Sequence, residues 1–199
     1  METEHMGMKT GFVRGILAGI GILIACAALP AKSEPPVRPA AWAQPIVREG
    51  LPNFHRVSDA LYRGAQPETK GFLELQGQGI RTIVNLRSFH SDAMMITGLG
   101  MSYEHIYMKA WHPEDEDIVR FLKMATDPAR TPVFVHCMHG ADRTGLLCAI
   151  YRVAVQGWTK DEAIREMTEG GFGYHEVWTN IIKYLGGLDI DSLKKRAGL

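Results

Sequence analysis

Val133-Phe134-Val135-His136-Cys137-Met138-His139-Gly140-Ala141-Asp142-Arg143-Thr144-Gly145 is the stretch on which the fold of this chain turns. Pro132 to Val135 is short, apolar and β-branched, and reads as a buried strand. Thr144 to Gln156 is an apolar helix ended by Gly157. A loop between a buried strand and a helix start turns its backbone amides inward as an anion nest. The helix N-terminus adds partial positive charge at the same place. An oxyanion held there lies over Cys137.

Each residue type in the loop has a chemical use. The field that holds an anion also favours thiolate over thiol, which makes Cys137 a nucleophile. The planar fork of Arg143 binds two non-bridging phosphate oxygens in a way a lysine does not. The Thr144 hydroxyl is placed to donate to the departing sulfur. Gly140 permits a tight bend close to the ligand, and Gly145 lets the helix start against the loop.

His136-Cys137 followed five residues later by Arg143-Thr144-Gly145 resembles the H-C-x5-R-T-G signature of the protein tyrosine and dual-specificity phosphatase superfamily. Leu61-Tyr62-Arg63-Gly64-Ala65-Gln66-Pro67 and Thr82-Ile83-Val84-Asn85-Leu86-Arg87 look like the compact dual-specificity members, so the likeness spans roughly residues 54–186. It implies a three-layer α/β sandwich with a largely parallel central sheet. It also implies two-step phosphoester hydrolysis through a phosphocysteine, with no metal and no cofactor. The substrate would be a phosphorylated protein or a small phosphoester. In the resemblance His136 orients the loop and modulates the thiolate, while Met138, His139, Gly140, Ala141 and Gly145 surround the phosphate. Two alternatives stay open: a membrane-tethered phosphate-binding pseudophosphatase, and a phosphoinositide or inositol phosphate phosphatase.

The leaving oxygen needs a proton, normally from a carboxylic acid. In the family that acid precedes the helix before the cysteine strand. Here Lys109 or a neighbour stands at that point, a departure from the pattern. Asp142, next to Arg143, is the first candidate in its place; its D-R-T ending resembles myotubularin and Sac-type phosphoinositide phosphatases. Asp115 and Glu114 are the alternatives, although acidic residues in a first helical turn also serve the helix dipole. Trp111 and Tyr174 are candidates for the pocket mouth, Arg87, after a strand end, for holding the loop or the substrate, and Cys148 for the core.

Working outward, strands are expected at Phe54–Ser58, Leu61–Arg63, Arg81–Leu86 and Tyr103–Met108. Helices are expected at Pro67–Gln76, Asp92–Thr97, Glu114–Thr126 and His175–Leu185, with an amphipathic tail after the last. Thr159 with Glu162 fits a capping box for a helix to about Glu169. Strands alternating with helices argue for α/β architecture.

The N-terminus is of another kind. Lys9 and Arg14 precede an apolar run from Ile16 to Leu29, short for a membrane span and suited to an export signal. Leu23-Ile24-Ala25-Cys26 resembles the lipobox of bacterial lipoproteins, which marks Cys26 for lipidation. Residues 1–30 are therefore an export signal or membrane anchor, 31–50 a Pro-rich linker, and 51–199 the catalytic domain. A cleaved, a lipidated and a retained segment all place that domain outside the cytoplasm, in the periplasm or on a membrane, if the organism is a bacterium. The formal net charge of +0 lacks the basic excess of a nucleic-acid binder. With 3 cysteines the chain has neither metal-site spacing nor a disulfide framework.

Overall fold

The computed structural model describes residues 38–199, and Glu2 apart from them. The expected export signal or anchor, with Cys26, lies outside the described residues. Six strands form one sheet: β1 (Gln44–Pro45), β2 (His55–Arg56), β3 (Leu61–Gly64), β4 (Thr82–Asn85), β5 (Ser102–His105) and β6 (Val133–His136). Their order is β1-β2-β3-β6-β4-β5. The first three are antiparallel, whereas β3, β6, β4 and β5 run parallel. All four residues of β6 are buried, as befits the middle of a parallel sheet.

Parallel neighbours need crossovers. Helix α1 (Thr69–Gly77) links β3 to β4, and α2 (Asp115–Thr126) links β5 to β6; then α3 (Asp142–Gln156), α4 (Lys160–Glu169), α5 (Thr179–Gly187) and α6 (Ile190–Ala197) complete the chain. Strand alternation separates two apolar layers. Phe134, Ile83 and Tyr62 pack with Phe72 and Leu75 of α1 on one face. Val133, Val135 and Val84 pack with α2 and α3 on the other. The architecture is the expected three-layer α/β sandwich.

Three expectations are corrected. Of the stretch 31–50, expected as a linker, residues from Arg38 on belong to the folded body. Arg38 donates to the carbonyls of Ala43 at 2.8 Å and Gly170 at 2.6 Å, and the Ala43 N–H donates to buried Glu166 at 2.6 Å. Proline is tolerated in such an edge strand because its missing N–H falls outside the ladder. Asp92–Thr97 forms turns rather than a helix, because the Asp92 side chain points inward to partners across the sheet instead of serving the local backbone. The helix expected from His175 begins only at Thr179. The His175 N–H is committed to Asp142, and the Tyr174 hydroxyl to the Trp178 carbonyl, which shapes 174–178 as a turn.

Candidate active site

The cysteine loop is built by turning its carbonyls outward. Each from Cys137 to Ala141 has a partner away from the pocket. Cys137 O lies 3.3 Å from His136 Nδ1, and Met138 O accepts from the Gln66 N–H at 3.2 Å. His139 O accepts from Asn53 Nδ2 at 2.9 Å, Gly140 O from Arg63 Nη2 at 2.6 Å, and Ala141 O from the Gly145 N–H at 2.8 Å. The N–H of a trans peptide points opposite its carbonyl. Among the described residues, the N–H groups of Met138 to Ala141 meet no backbone acceptor. They form the nest that an oxyanion fills.

Gly140 is required for this bend. It has φ +71°, and a Cβ there would lie 2.4 Å from the Gly64 carbonyl oxygen. Gly145 is equally confined, since a Cβ would lie 2.9 Å from Met167 Cγ. Ala141 caps α3, so the helix begins at Asp142, two residues earlier than expected, and its dipole points at the nest.

Cys137 is buried at 2% exposure. Arg143 Nη1 donates to the Leu86 carbonyl at 3.0 Å and the Met108 carbonyl at 3.4 Å. Those bonds anchor one arm of the fork at the ends of β4 and β5. The Thr144 hydroxyl is fully buried without a partner among the described residues. A buried hydroxyl left unpaired is costly, and the expected donation to the Cys137 sulfur is not formed in this structure.

His136 is held from behind. Its Nε2 pairs with Asp92 Oδ2 at 2.9 Å, and both side chains are fully buried. Asp92 also accepts from Gln66 Nε2 at 2.7 Å and Asn85 Nδ2 at 2.8 Å. Burial works to raise the Asp92 carboxyl, but the hydrogen bonds from His136 and Gln66 outweigh it and hold Asp92 below the usual range. Asp92 and Asn53 are functional residues that sequence reasoning missed. Nothing local marks them, because their partners lie 44 and 86 positions away.

A pocket of about 290 Å³ opens over the loop, lined by Arg143 and Met138 together with Arg87, Phe89, Trp111 and Trp178. The lining includes Trp111 as expected, and Arg87 beside it. Trp178 stands where Tyr174 was expected. Arg87 Nη1 also donates to Gln66 Oε1 at 3.0 Å, tying it to the Asp92 network. His139 is exposed at the rim, its ring centroid 5.4 Å from that of His175. Cys148 is core as expected, and burial pushes its thiol up to about 11.

None of the carboxylates proposed as the acid lines that pocket. Asp142 faces His175: Oδ1 accepts from its backbone N–H, and Oδ2 pairs with its ring Nδ1. Both oxygens face His175, so the carboxylate braces the 174–178 turn. Asp115 accepts from the Tyr184 hydroxyl at 2.7 Å and pairs with Arg196 at 3.3 Å, in a neighbouring groove. Glu114 is exposed, 3.8 Å from His112.

The family model described as DSP-PTPase phosphatase fused to NAD+ kinase matches residues 48–177. The dual specificity protein phosphatase TpbA of Pseudomonas aeruginosa (strain PAO1) is 32% identical over 188 residues, covering 92% of this chain and 84% of the relative. The inositol diphosphatase DSP5 of Arabidopsis thaliana is 28% identical over 125 residues, covering 58% of this chain and 60% of that protein. The crystal structure of P. aeruginosa TpbA superposes with a TM-score of 0.72 at 32% identity, over 82% of this chain and 100% of that one. The catalytic core of SIW14 from S. cerevisiae shares the fold, with a TM-score of 0.66 at 22% identity over 74% of this chain and 93% of its own. Signature, sheet and relatives agree: the chain belongs to the DSP-PTPase family of cysteine-dependent phosphatases, which work through a phosphocysteine.

Proposed function

We propose that this phosphatase acts on aryl phosphomonoesters, and on phosphotyrosine in protein segments in particular. The observation that carries the reading is the pocket wall. Phe89, Trp111, Met138 and Trp178 surround the Arg143 guanidinium with apolar and aromatic surface, which suits a phenyl ring. The pocket has no lysine in its lining, whereas an inositol ring bearing several phosphates calls for more cations than Arg143 and Arg87. The lack of a carboxylate there favours the same substrate. A tyrosine phenol, with a pKa near 10, departs with less help from an acid than an alkyl alcohol does. A TpbA variant has been crystallised in complex with pTyr, which supports the reading by analogy.

Purified protein, offered a phosphotyrosine peptide, a phosphoserine peptide, a phosphoinositide and an inositol pyrophosphate, is expected to hydrolyse the first with a kcat/KM at least about tenfold above the others. Faster turnover of either inositol substrate overturns the assignment. We also infer that the domain works outside the cytoplasm, on the support of the basic start and short apolar run before residue 30. Fractionation of cells expressing the tagged full chain is expected to place it in the envelope. A Cys26→Ala variant that loses membrane association identifies lipidation, and a chain found in the cytosol refutes export.

A further inference from the structure

A phosphatase loop uses its amides, its arginine and its cysteine, but one more cation stands behind it here. Arg63, on β3, has 1% of its surface exposed, and it appears in no ion pair among the described residues. Its Nη2 donates to the Gly140 carbonyl at 2.6 Å. The same atom lies 3.8 Å from where a Cβ on Gly145 would stand, under the first turn of α3. Its guanidinium carbon sits 3.7 Å from the Phe172 ring centroid, and its Nε has no partner.

The surroundings favour that charge only from a distance, through Glu166 and the Cys137 sulfur, and none of them pairs with it directly. On α3 and α4, Arg152 holds Glu166 at two points, 2.7 and 2.6 Å, so the one buried carboxylate nearby is already neutralised. Cys148 is kept neutral by burial. From β2, His55 is also neutral, since burial and the Arg63 and Arg38 charges push its imidazole down to about 4. Arg38, at the start of the folded body, adds further positive charge. On the loop side, His136 is paired with Asp92, Asp142 with His175, and Arg143 is a cation itself. A buried charge without a counter-charge is costly unless something compensates it. The Cys137 sulfur favours the charge from the loop side, and an anionic occupant of the loop is the further group available to do so.

We propose that Arg63 is a positioning residue of the phosphate loop, which holds the Gly140 carbonyl outward so that the Ala141 N–H faces the phosphoryl group, and whose buried charge is balanced by that group when it binds. The proposal rests on the phosphatase reading of the Cys137 loop. It assigns no contact between Arg63 and substrate.

The test is vanadate inhibition of the full-length protein, with active sites counted by rapid alkylation of Cys137 and peptide mass spectrometry. Arg63→Met removes both donor and charge, and is expected to weaken vanadate inhibition by about a hundredfold. Arg63→Gln keeps a donor, and is expected to lose about tenfold. Arg63→Lys keeps the charge, and is expected to recover most of the affinity lost by Arg63→Met. A purely structural role lowers the number of active sites and leaves the inhibition constant per active site unchanged; that result overturns the proposal. Should these variants fail to fold, hydrogen exchange on the wild type decides: vanadate is expected to protect the Ala141 amide, and an unprotected amide overturns the proposal. Absence of both vanadate inhibition and turnover in the wild type instead refutes the phosphatase reading.

Discussion

Asp142 and His175 are joined at two points, the backbone N–H of His175 to Oδ1 at 2.9 Å and its ring Nδ1 to Oδ2 at 2.8 Å. The link pins the first residue of α3 to the turn that carries Trp178 into the pocket. Asp142→Asn keeps the shape but replaces one acceptor with a donor facing the ring. It is expected to cost about 1 kcal/mol of stability by chemical denaturation. The dependence of rate on leaving-group pKa across substituted phenyl phosphates is expected to stay as in the wild type. A steeper dependence in the variant restores Asp142 as the acid.

Thr144 keeps a buried hydroxyl for which the described residues provide no partner. Thr144→Val removes it with little change in shape. Folding stability is therefore expected to hold or rise slightly, because an unpaired polar group is lost. Hydrolysis of the phosphoenzyme is expected to slow by about tenfold, consistent with one lost hydrogen bond to the leaving sulfur. Pre-steady-state kinetics with para-nitrophenyl phosphate then show a burst followed by a slower steady rate.

Asp92 stands behind His136 at the centre of a buried polar network. Partial disruption of such a network leaves other members unsatisfied. Asp92→Asn is expected to lose about 2–3 kcal/mol of stability and to lower kcat more than it raises KM, because it disturbs loop geometry rather than substrate contact. Denaturant melts and steady-state kinetics on the same preparation separate the two effects.

His55 makes stability depend on pH. Its Nδ1 lies 3.0 Å from the Asn53 carbonyl, and burial, with the nearby Arg63 charge, pushes the folded-state value down to about 4 from 6.5. Between those values the unfolded chain binds a proton that the folded chain does not. Stability is therefore expected to fall as pH drops from about 6.5 to about 4, and to be insensitive to this group above 6.5. Thermal melts across that window check it, and His55→Gln is expected to flatten the acid limb.

Strand β6, the loop and α3 are legible in the chain because their signal is local. An apolar β-branched run, a glycine needed at positive φ and a cysteine-arginine spacing each lie within a few residues. The capping box of Thr159 and Glu162 is of the same kind, and it forms as read. From these residues alone the nucleophile, its arginine, the α/β class and the family likeness follow. What the tertiary structure decided depends on long-range pairing. Asp92 reads as the start of a helix until His136 is brought against it, and the brace from Asp142 to the 174–178 turn is invisible until His175 is brought to its two oxygens. Arg63 reads as part of a β-strand until parallel pairing with β6 sets it under Gly140. Local patterning specifies which backbone a segment adopts, whereas the partner of a buried polar side chain is chosen by whichever distant element the sheet order places beside it.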